Sequence, residues 1–114
     1  MQKNWYIERD GAQTTVSRRV PARFDVSAQA EFPLASPTRL AQQIRQDMWR
    51  VLQNVRGFSP VVRVEQQGDG LLVTAGGQAS APISGSIEYQ ISELLNDATR
   101  RKRWLNWAKI GEGT

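Results

Sequence analysis

Histidine and cysteine are both missing from this chain of 114 residues. Imidazole and thiol groups supply most bases that titrate near neutral pH, most activated nucleophiles and most transition-metal ligands. Their joint absence excludes thiol chemistry, cysteine–histidine metal sites and disulfide stapling, so the fold must rest on an apolar core. A chain without cysteine fits a reducing compartment. Long apolar runs are also lacking: nothing approaches the roughly 18 to 20 residues that span a bilayer. The first residues, Met1 to Tyr6, contain Lys3 but no apolar stretch or small-residue cleavage pattern, so they do not read as a signal peptide. The expectation is a cytoplasmic protein without a membrane partner.

Charge is present but unevenly spread. The net charge is +4 and the isoelectric point about 10.1, which favours an acidic partner. Residues 37–57 carry Arg39, Arg45, Arg50 and Arg56 against Asp47 alone. Near the end, Glu88, Glu93 and Asp97 precede the run Arg100-Arg101-Lys102-Arg103 and Lys109. The positive excess is therefore local to two segments.

Periodicity predicts an α+β fold. Ser36 as N-cap and Pro37 at the first helical position open a helix over 37–56. Its apolar stripe is Leu40, Ile44, Met48, Val51, Leu52 and Val55, and Gly57 would close it as a left-handed cap with Phe58 in contact behind it. Alternation from Val20 through Ala22, Phe24, Val26, Ala28 and Ala30 to Phe32 predicts one long half-buried strand. Asp10-Gly11 and Gly68-Asp69-Gly70 mark two hairpin turns. Gly76 to Pro82 reads as a loop. A short helix follows, started by Ser84 or Ser86 and carrying Ile87, Ile91, Leu94 and Leu95; Asp97 would cap a last helix with Trp104, Leu105 and Ala108. The sum is a single domain over 1–114, an antiparallel sheet of about four strands (two hairpins) with the long helix 37–56 and two C-terminal helices on one face. Residues 1–18 read as a peripheral hairpin and 110–114 as a disordered tail. From the long strand onward the order is βαββα, similar in topology to a ferredoxin-type split βαβ without its last strand; topology carries no function.

Two constellations stand out for binding. The first is Arg100, Arg101, Lys102, Arg103, Trp107 and Lys109, cations beside an aromatic, which suits phosphates and unstacked bases. The alternative is a solvated face whose charges offset Glu88, Glu93 and Asp97. The second is Trp49 at the margin of the long helix with Arg45 one turn earlier and Arg56 close by, the composition of an interface anchor. Alternatives there are packing at the core rim, or Arg45 stacked on the Trp49 ring.

Other motifs carry less. Gly76-Gly77-Gln78 matches the tripeptide of peptide-chain release factors and related peptidyl-tRNA hydrolases, but the resemblance ends at three residues. Their flanking serine-glycine and asparagine pattern is absent, so no function is carried over. Ser84-Gly85-Ser86 at a helix start lacks any Walker or dinucleotide spacing. The carboxylates are scattered, giving no metal ligand set and no catalytic pair, and no cofactor is implied. The residues favour a non-enzymatic binding protein that engages an acidic partner, nucleic acid or nucleoprotein, through its basic and aromatic helix faces. That reading requires the two patches to share one side of the fold. The alternative, motivated by four tryptophans in a small chain, is a protein–protein interaction module (adaptor, assembly factor or inhibitor, of phage or mobile-element type) or a homodimer.

Overall fold

The computed structural model describes residues 5–18, 20–55, 57–79 and 85–109. Five strands and three helices follow in the order β1 (Tyr6–Asp10), β2 (Gln13–Ser17), β3 (Val26–Pro33), α1 (Pro37–Leu52), β4 (Ser59–Gln67), β5 (Gly70–Gln78), α2 (Gly85–Leu95) and α3 (Ala98–Trp107). The strands form one sheet in the order β1-β2-β4-β5-β3, with every neighbouring pair antiparallel. The two hairpins supply four strands and β3 is the fifth. Because β5 is antiparallel to both β3 and β4, those two run parallel on either side of it. The unit β3-α1-β4 is thus a split βαβ with β5 inserted.

Alternation decides which face is covered. Register aligns Val16, Val62 and Ala75 across three strands, Val64 beside Val73, and Phe32 beside Leu71. All are buried and meet Leu40, Ile44, Met48 and Leu52 of α1, and Ile91, Leu94 and Leu95 of α2. Removing each such side chain from water is worth about 1.5–3 kcal/mol. The helices share this one face. Ser36 caps α1, its Oγ accepting from the Arg39 N–H at 3.4 Å, and Asp97 caps α3, accepting from the Arg100 N–H at 2.9 Å. The chain then closes on itself, because the Ser36 N–H donates to the Ala108 carbonyl at 2.7 Å. The N-terminal hairpin joins through β2, with Val16 fully buried and every β1 residue exposed.

Several expectations are corrected. The long strand begins at Val26, not Val20, which is 52% exposed. Backbone pairing runs out there: Val26 is opposite Gly77, one residue before β5 ends. Alternation fails with it. Phe24 lies 5.1 Å below the Arg63 guanidinium, and Arg63 points away from the helices between Val62 and Val64. The long helix ends at Leu52 rather than 56. Gln53 and Asn54 are exposed, so no apolar contact holds a further turn, and two tight turns (Val55 to Leu52, Phe58 to Val55) lead into β4. Gly57 is left-handed at φ 71° but belongs to this connection, and Val51 of the expected stripe is 38% exposed. Residues 76–78 are strand, not loop: Gly76 and Gly77 let the β3 and β4 backbones approach where a Cβ would collide with the Val26 and Ser59 carbonyls. Ser86 is the second residue of α2 rather than its cap. Ser84, Arg56 and the tail 110–114 lie outside the described residues.

Candidate functional site

Asp47 sits on the flank of α1 next to Met48, its side chain 7% exposed. Three donors converge on it. The Trp104 indole N–H donates to Oδ2 at 2.8 Å, the Arg103 guanidinium pairs with the same oxygen, and Arg50 donates to Oδ1 at 3.4 Å. One carboxylate thereby fastens α3 to α1 and gathers an arginine from each helix. Two cations against one anion leave a net positive seam, and Arg50 and Arg103 keep 73% and 47% of their side chains in solvent.

Trp107, next to Arg103 and Arg100 on the helical wheel of α3, is 62% exposed. Arg100 reaches its own cap, Asp97, at 3.8 Å. It also lines an open cleft of about 290 Å³ with Val51, Tyr89 and Leu94. Arg100 of α3, the exposed Val51 of α1 and the exposed Tyr89 of α2 therefore meet at this cleft. Arg100, Arg103 and Trp107 follow one another along one flank of α3 by helical spacing.

The remaining candidates part company. Arg101 turns inward: its guanidinium stacks 3.8 Å from the Phe32 ring centre and donates to the Leu95 carbonyl at 2.9 Å and the Glu31 carbonyl at 2.6 Å. It locks α3 to α2 and β3. Lys102 and Lys109 are exposed along a groove with Pro33, Leu34 and Leu105, which Arg103 also lines. Trp49 is a rim residue at 39% exposure, and Arg45 stacks on Trp5 at 4.2 Å rather than on Trp49. Arg18, following β2, places its guanidinium 5.3 Å from the same Trp5 ring. Burial first, and repulsion from Arg18 second, push the Arg45 pKa below its ordinary value.

Sequence reasoning missed Asp47, Arg50, Trp5 and Arg18. Asp47 had a usable signal. It is the lone acid among the four arginines of residues 37–57, at a position flanking the apolar stripe, and a buried tryptophan N–H needs an acceptor. Trp5 and Arg18 had none, since their meeting with Arg45 depends on α1 packing against the N-terminal hairpin through β2. Gly76-Gly77-Gln78 lies within β5 with both glycines buried, not on a projecting loop. Among the described residues no group of three or more acidic side chains could hold a metal ion, and no helix is long and apolar enough to cross a membrane. Compared with known protein families, with curated proteins and with solved structures, the chain matches none.

Proposed function

We propose that this protein is a non-catalytic binding protein for an acidic macromolecule, nucleic acid first, and that the α1–α3 seam is its contact surface. The single observation that supports this most is the sharing of Asp47 by Arg50 and Arg103. It sets Arg50 of the long helix beside Arg103 of the basic, tryptophan-bearing last helix, while Arg45 of the long helix lies on the other flank. Guanidiniums suit bidentate contact with phosphates, and the exposed Trp107 ring offers a base a stacking surface.

The test is fluorescence anisotropy with labelled single-stranded and duplex oligonucleotides across a salt series. Neutralising several phosphates makes affinity fall steeply with salt, by about two orders of magnitude or more between roughly 50 and 200 mM. Arg50→Gln leaves the fold intact, since a pair this exposed contributes about 0–1 kcal/mol, and should lower both affinity and salt slope. Absence of binding at low salt overturns the reading.

A second reading, a protein–protein interaction surface, draws on the exposed apolar side chains Leu34, Val51, Tyr89 and Trp107. It expects capture of a polypeptide that survives nuclease treatment and is lost in Trp107→Ala.

A further inference from the structure

Trp5, Arg18 and Arg45 form a second cluster, on the flank of α1 away from Asp47. Arg9 of β1 donates to Thr38 Oγ1 at 2.8 Å, and Trp5, just before β1, meets Arg45 two turns further along α1. Two guanidiniums then meet one indole. Stacking on an aromatic face offsets part of the cost of desolvating a cation. It does not offset the repulsion between two cations. Ion pairs hold Arg23, Arg50, Arg100 and Arg103 to carboxylates, whereas none is formed by Arg18 or Arg45 among the described residues. The Nε of Arg45 is moreover buried with no hydrogen-bond partner. Like charges collected on a half-buried ring, with a donor left over, are an arrangement completed by an oxyanion.

We infer that Arg18 and Arg45, held on Trp5, clamp a phosphate group. Planar guanidiniums favour the bidentate geometry phosphate offers, and both parts of the chemistry are present: two positive charges to attract the anion and the unpartnered Arg45 Nε–H. The inference shares its ligand class with the acidic-partner reading but uses none of the seam residues.

The experiment titrates inorganic phosphate into the intact protein, read by tryptophan fluorescence and calorimetry. A parallel arm adds a short oligothymidylate. Wild type should bind phosphate in the low-millimolar range. Arg18→Gln and Arg45→Gln should each weaken it about tenfold, Arg45→Lys less, and Arg50→Gln not at all. Circular dichroism establishes that Arg45→Gln is folded, and exposed Arg18 provides the variant least tied to packing. Competition by oligothymidylate identifies the phosphate as a polymer's; its absence identifies a free phosphate or a small phosphorylated molecule. Either supports the clamp. No phosphate response in wild type, or one indifferent to both glutamine variants, overturns it. Phosphate binding that persists when oligonucleotide binding fails would sink the seam reading and leave this one standing.

Discussion

Trp104 reaches the carboxylate of Asp47 through its indole N–H at 2.8 Å, across 57 positions of sequence. The ring is fully buried, lies 6.2 Å from Phe32, and could not be left without an acceptor. An unsatisfied buried donor costs about 1–3 kcal/mol. The same carboxylate draws in Arg103 and Arg50, so the bond that completes the core also shapes the proposed contact surface.

Asp47→Ala should therefore destabilise by about 2–4 kcal/mol, because it strands the indole N–H and leaves two arginines without their counter-ion. Asp47→Asn keeps an acceptor and should cost less. Urea denaturation of the two variants measures the difference, and equal costs would mean that the indole bond is unimportant.

Arg101 looked like a binding residue and acts as a structural one. Arg101→Lys retains the charge but loses the stack on Phe32 and one or both carbonyl contacts, so it should cost about 1–2 kcal/mol. Oligonucleotide affinity of the folded variant should be unchanged. A variant as stable as wild type but with weakened binding would return Arg101 to the contact surface.

The paired glycines of β5 make a sharper contrast. A methyl group at Gly76 would collide with the Val26 carbonyl and lie 2.7 Å from Ser27 Cα. Gly77, at φ 154°, would set its own within 2.9 Å of the Ser59 carbonyl carbon. Gly76→Ala and Gly77→Ala should each cost about 3 kcal/mol or more, by forcing strands apart. Gly85→Ala at the start of α2 meets nothing within 4 Å and should stabilise by about 0.5 kcal/mol. Thermal melts of the three variants suffice to check the order.

Asp25 links the start of β3 to the end of β5. The Ala79 N–H donates to its carboxylate at 2.9 Å, and Arg23 pairs with it; together they hold its pKa below the ordinary 3.8. With a folded pKa lowered in this way, the contribution is complete above the ordinary value. It disappears as pH falls through 3.8 towards the lower folded value. The urea midpoints of wild type and Asp25→Asn should stay a constant distance apart near neutrality and converge in acid. A gap that widens in acid would contradict the assignment.

Local order was legible in the residues because it depends on neighbours a few positions away. Ser36 and Asp97 as caps, Gly11 and Gly68 in hairpin turns, and the stripe Leu40, Ile44, Met48, Leu52 follow from hydrogen-bond satisfaction and a helical or two-residue period. What periodicity could not supply was the point at which a partner ends. Val20 to Phe24 alternate as well as Val26 to Phe32 do, yet only the latter have β5 alongside.

The candidate site divides along the same line. Residue order alone located cations beside tryptophans on two helices, and the lack of imidazole and thiol removed the commonest catalytic groups. Which arginine faces inward, which shares an acid and which stands without one was decided by tertiary packing. Arg101 and Arg103 are two residues apart, and a helix turns about 200° over that step. One therefore meets Phe32 and the β3 backbone while the other meets Asp47 and solvent. Charge is written residue by residue, but its desolvation and pairing depend on elements that meet only once the chain has folded.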